Sequence, residues 1–170
     1  MNIEEIIQHG SEYSIAEIPD GRTERIAMIL PAILETLDGN VLEIGAGEGI
    51  TTLPMLEIAK QFDRQVLVID PWETATEKPA GYGQYSYRNF IERTKGFTNM
   101  TVCKHSSHDK LVSQYMSKVS PFAFAFVDGL QLEYAVLSDL FLCSSYQVDV
   151  RCVDDINRLT EVSHVPKAID

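Results

Sequence analysis

The sequence predicts one α/β domain built on a doubly wound parallel sheet, on three observations. Candidate strands recur at 41–44, 65–69, 100–104, 122–127 and 148–153, the last carrying Asp149 and Arg151, which are unusual in a sheet buried on both faces. Stretches with helical spacing of apolar residues separate them, and such alternation implies right-handed crossovers between parallel strands. The run Phe122-Ala-Phe-Ala-Phe-Val127 has no polar side chain, as expected of a parallel strand covered on both faces.

The elements follow in order. Segment 1–20 is mixed and acidic and reads as a short helix and an arm. Ile26, Ile29, Leu30, Ile33, Leu34 and Leu37 form a helical stripe over 23–37, with Pro31 as an expected kink and Asp38-Gly39-Asn40 as the stop. After the strand at 41–44, residues 51–62 read as a helix that tolerates Pro54 in its first turn. The second strand ends at Asp70, and 71–83 reads as a long loop rich in Pro, Gly and Thr. Helices are predicted at 84–94, 109–118 and 132–144, each followed by a strand. The organisation expected is a helical segment, 1–40, packed on a ligand-binding domain, 41–170.

Composition narrows the function. Formal net charge is −11 over 170 residues, with no basic face to replace the counterions of a phosphate backbone. Nucleic acid and anionic membrane are therefore poor partners, and a small molecule is the better one. The three cysteines, Cys103, Cys143 and Cys152, lack metal-ligand spacing and read as free thiols. The N-terminus lacks a signal-peptide pattern and no apolar run would span a bilayer, so a cytoplasmic location is expected.

The glycine loop carries the chemistry. Gly45, Gly47 and Gly49 lie between the first predicted strand and the next helix, where ligands of doubly wound sheets bind. Glycines there let the backbone turn and approach a ligand without a Cβ in the way. Ile50 stands where the dinucleotide fingerprint places its last glycine, and Glu43 precedes the loop. A carboxylate aimed at a pyrophosphate is repulsive, whereas beside an ammonium and a sulfonium it is favourable. The acid thus favours S-adenosylmethionine over NAD, leaving a nicotinamide-dependent oxidoreductase as the disfavoured alternative. Asp70 ends the next strand about twenty residues on, the position from which a carboxylate accepts ribose hydroxyls.

On these residues the chain resembles the class I S-adenosylmethionine-dependent methyltransferases. The matching blocks are Val41-Leu-Glu-Ile-Gly-Ala-Gly-Glu-Gly-Ile-Thr-Thr52, Val68-Ile-Asp-Pro-Trp72, Phe126-Val-Asp-Gly129, Ala135-Val-Leu-Ser-Asp-Leu140, Cys152-Val-Asp-Asp-Ile156 and Val165-Pro-Lys-Ala-Ile169. The later blocks are similar to a small-molecule O-methyltransferase subgroup with Val-Asp-Gly-x-His after strand four and Asp-Asp after strand five. The resemblance implies a Rossmann-like fold in which Glu43, Gly45, Ala46 and Gly47 line the methionine and ribose side of the cofactor. Asp70 would hold the ribose with Trp72 beside it, Ser106 and Ser107 would face the adenine, and Asp128 would lie near the transferable methyl. In metal-dependent relatives the corresponding acids hold a divalent cation, which implies Mg²⁺ at Asp128, Asp154 and Asp155.

Departures from that pattern shape the remaining expectations. Gln131 stands at the catalytic histidine's position beside Asp128, and glutamine cannot act as a general base, which leaves His105 and His108 as the nearest candidates. The turn 144–149 lacks the glycines of the usual Lys-Pro-Gly-Gly. The resemblance implies two further strands after strand five, which this chain is expected to lack. Either the natural protein continues past Asp170, or strand five is an edge needing cover, from a second copy of the chain or from 160–169. The segment Gly81-Tyr-Gly-Gln-Tyr-Ser-Tyr87 reads either as a lid over the acceptor or as aromatic packing. Two functions stay open: a small-molecule O-methyltransferase, and a cofactor-binding domain that has lost catalysis for a structural or assembly role.

Overall fold

Strand β1 (Asn40–Ile44) ends at the glycine loop and lies between β2 (Val66–Ile69) and β4 (Phe122–Val127). The computed structural model describes residues 21–72 and 86–154. With β3 (Met100–Cys103) and β5 (Val150–Val153), the sheet has the order β3-β2-β1-β4-β5, and every pairing is parallel. The chain builds outward from β1 through β2 to β3, then returns to the other side of β1. The crevice between β1 and β4 is therefore the topological switch point.

Helices α1 (Arg22–Thr36), α2 (Thr52–Gln61) and α3 (Tyr87–Thr94) cover one face, and α4 (Val112–Val119) and α5 (Glu133–Ser145) the other. Successive strand residues point to opposite faces, which divides the core in two. Val41, Val66, Val68, Phe124 and Phe126 meet Ile26, Leu30, Leu56 and Phe90. Leu42, Ile44, Leu67, Ile69 and Ala125 meet Val112, Met116 and Cys143. All six residues of β4 are buried, as its sequence predicts.

The boundaries shift for local reasons. Helix α1 runs through Pro31, and Ile29, predicted in its buried stripe, is 39% exposed. Helix α4 begins at Val112 rather than Asp109, because the Asp109 carboxylate accepts the Leu111 amide at 2.9 Å and forms a turn before it. Strand β5 begins at Val150 rather than Val148, whose amide bonds back to the Cys143 carbonyl and closes α5. Gln147, in the turn without glycine, takes a left-handed conformation at φ 52°.

Cys103 and Cys143 are buried free thiols and Cys152 is half-buried. No helix among the described residues is long and apolar enough to cross a membrane. The predicted arm at 1–20, most of the loop at 71–83, and 155–170 with Asp155 lie outside the described residues, as does most of the tyrosine segment. Tyr87 is described, and its ring packs on Trp72 at 5.0 Å between centroids.

Candidate active site

The glycine loop leaves β1 hard against the end of β4. The Gly45 amide donates to Ile69 and the Asp128 amide to Ile44, at 2.9 and 2.8 Å, so three strand ends meet there. A Cβ on Gly45 would lie 2.2 Å from the Asp128 carbonyl oxygen, and its φ is +87°. Only glycine fits. From α3, Arg93 pairs with the Glu48 carboxylate at 3.1 Å and donates to its carbonyl, while Asn89 donates to the same carboxylate.

Asp70 closes this loop from β2. Its Oδ2 accepts the amides of Ala46 and Gly47, both at 2.9 Å, and its Oδ1 accepts the Trp72 amide at 2.6 Å. The donors that a dinucleotide fold turns toward a pyrophosphate are thus held by a carboxylate of the chain itself. Trp72 is 2% exposed, and its Nε1 donates to the Gly47 carbonyl at 2.7 Å.

Glu43 lies inside the protein. Its two carboxyl oxygens accept the hydroxyls of Thr51 and Thr52, at 2.6 and 2.5 Å, and none of its surface is exposed. Burial pushes its carboxyl up to about 8, against the lowering effect of the two hydroxyls. The residue ties β1 to the start of α2, and the carboxylate in contact with the loop amides is Asp70.

Asp128 and Asp154 end the neighbouring strands β4 and β5. Nη1 of Arg22 donates to Oδ2 of both, at 2.7 and 3.2 Å, and Arg25 stands 3.8 Å from the other oxygen of Asp154. Gln131 donates to Asp128 Oδ1 at 3.1 Å, so the predicted pair does meet. Burial and the nearby Asp154 push the Asp128 carboxyl up to about 7, while Arg22 draws it down. Of the three expected ligands Asp155 lies outside the described residues, and between Asp128 and Asp154 a guanidinium stands where Mg²⁺ would need oxygen ligands. Among the described residues no group of three His, Cys, Asp or Glu side chains could hold a metal ion, so the expected Mg²⁺ is unsupported.

On the far side, Ser106 contacts His108 at 3.3 Å, and Ser107 donates to Asp139 of α5. Asp139 is 2% exposed, its Oδ1 has no partner among the described residues, and burial raises its carboxyl. A Cβ on Gly129 would sit 3.4 Å from its Oδ2, so Asp139 also lies beside the loop after β4. His105 pairs with Asp109 at 3.2 Å. It follows β3, three strand positions or about 14 Å from β4. Sequence reasoning assigned no role to Arg22, Arg25, Arg93 or Asp139.

A parallel sheet with its glycine loop at the switch point and an acid at the end of the adjoining strand defines a nucleoside-binding α/β domain. A family model described as a methyltransferase domain matches residues 42–149, and the chain belongs to that family. The family implies S-adenosylmethionine as cofactor. No curated protein matches the chain. Among solved structures it is similar to the apo form of CalS11, a TDP-rhamnose 3'-O-methyltransferase of calicheamicin biosynthesis. That match has 16% identity and a TM-score of 0.47, over 84% of this chain and 72% of that one. A second CalS11 structure gives 13%, 0.48, 84% and 73%. A cyclopropane-fatty-acyl-phospholipid synthase-like protein from Lactobacillus casei gives 14%, 0.42, 89% and 56%. These likenesses concern the fold and do not bear on the acceptor.

Proposed function

We propose that the chain binds S-adenosylmethionine at the glycine loop and transfers its methyl to a hydroxyl of a small molecule. The observation that carries this reading is the Asp70 carboxylate on the amides of Ala46 and Gly47. A second anion, such as a diphosphate, would meet that charge at close range, whereas a cationic nucleoside is attracted to it.

Bound S-adenosylmethionine supplies an electrophilic methyl on a sulfonium. The chain's own task is alignment. Asp70 at the end of β2 and Asp128 at the end of β4 are two strand spacings apart, about 10 Å, with the loop between them. In this reading the ribose lies at the Asp70 end of that span and the reacting methyl at the Asp128 end. Ser106 and Ser107 border the adenine side. A charge of −11 supports a small acceptor over nucleic acid or anionic membrane, and the three free thiols support a cytoplasmic setting.

The reading is tested by thermal shift with S-adenosylmethionine, S-adenosylhomocysteine and NAD, since a ligand of the folded state raises the melting temperature. The two sulfur nucleosides should stabilise the protein and NAD should not; the reverse order would overturn the assignment. Gln131 favours a second reading, a cofactor-binding domain without transfer, because its amide is no base and is already bonded to Asp128. Release of S-adenosylhomocysteine in a screen of hydroxyl compounds separates the two. We also propose self-association through the β5 side of the sheet, supported by the position of β5 at the edge of the sheet among the described residues.

A further inference from the structure

We infer that Arg22 is the resident cation of the Asp128–Asp154 pair, so that this site operates without a divalent metal. Adjacent parallel strands bring the two carboxylates to neighbouring strand ends, and their side chains are only 15% and 10% exposed. Two anions so placed need a counter-charge, because little water remains to screen them. A single nitrogen, Nη1 of Arg22, supplies it to both at 2.7 and 3.2 Å. Arg25, three residues on and therefore on the same side of α1, adds a second positive charge at 3.8 Å from Asp154.

The location of these arginines supports the assignment. Both lie in or next to the first turn of α1, where the helix dipole disfavours a cation and the one acid is Glu24. Their position is explained by the carboxylates they meet, which lie 106 and 132 residues away in sequence from Arg22. A divalent ion entering the same place would have to displace a guanidinium, lose its own water, and face two positive charges. Arg22 is thus a positioning residue: it fixes one oxygen of Asp128 while Gln131 holds the other. The cation assignment stands on this geometry, and only its catalytic meaning rests on the methyltransferase reading.

The test is Mn²⁺ binding to the full chain without cofactor, followed by the electron paramagnetic resonance signal of the free ion. The wild type should leave that signal unchanged into the millimolar range. Arg22→Ala should gain Mn²⁺ affinity by about tenfold or more, since a positive charge next to the carboxylates is gone. Asp154→Asn in that background should remove the gain, and Arg22→Lys, which keeps the charge, should not show it. Should Arg22→Ala fail to fold, Arg22→Gln carries the same expectation, and the wild-type measurement decides by itself. Wild-type Mn²⁺ binding that Asp154→Asn abolishes would overturn the inference, as would a folded Arg22→Ala with no gain. Failure of S-adenosylmethionine to bind would leave this result untouched, so the two readings fail separately.

Discussion

The indole nitrogen of Trp72 donates to the carbonyl of Gly47 at 2.7 Å, joining the residue after the β2 acid to the middle of the glycine loop. Trp72 is the only tryptophan in the chain, and it packs on Tyr87 and Phe90 at 5.0 and 4.9 Å between ring centroids. Its emission therefore reports on the loop. Saturating S-adenosylhomocysteine should quench or shift that emission, and Trp72→Phe should cost about 1 kcal/mol of stability through the lost hydrogen bond. Unchanged emission with ligand calorimetrically bound would place the ligand away from this loop.

Glu43 makes stability depend on pH. Its folded value is about 8 against an ordinary 4.5, so the folded chain holds a proton that the unfolded chain has lost between those limits. Stability from this group is full below about 4.5 and falls as pH rises through about 8, by at most about 1.4 kcal/mol per pH unit. Asp128, pushed up to about 7, acts in the same direction, so the comparison must be made against a Glu43 variant. Glu43→Gln removes the titration while retaining polar contact with Thr51 and Thr52. Its melting temperature minus that of the wild type should climb with pH and level off above about 8. A constant difference across that range would rule out the buried proton.

Strands β2 and β4 were legible because a buried parallel strand has a uniformly apolar sequence. The glycine loop and Asp70 were legible because both follow from strand-end geometry. Glu43 was read by its charge, as an anion facing ligand. Its period-two relation to Val41 puts it instead on the face packed by α2, where Thr51 and Thr52 meet it. Arg22 was missed because its partners are more than a hundred residues away, although cations in a first helical turn were a usable signal. Asp139 had a signal too, since it shares a helix face with buried Ala135 and Cys143 at four-residue spacing.

Gln147 pays the conformational cost of a turn that usually carries glycine. A non-glycine residue at φ 52° is strained by roughly 1 kcal/mol, part of which glycine returns as extra freedom in the unfolded chain. Gln147→Gly should therefore stabilise the protein modestly, by about 0.5 kcal/mol, and raise its melting temperature by a degree or more. A lowered melting temperature would mean that the Gln147 side chain contributes contacts that outweigh the strain.

Self-association has a definite surface to test. Tyr134, Leu137 and Phe141 recur at helical spacing along α5 and are 56%, 54% and 74% exposed. Helix α5 joins β4 to β5, the last strand on that side among the described residues, so this apolar stripe and β5 belong to the same end of the sheet. Light scattering after gel filtration should give a dimer mass for the wild type and a monomer mass for Phe141→Asp. Exposed substitutions of this kind change monomer stability by only about 0.5 kcal/mol, so a folded monomeric variant separates association from unfolding. A wild type that stays monomeric at high micromolar concentration would remove the dimer.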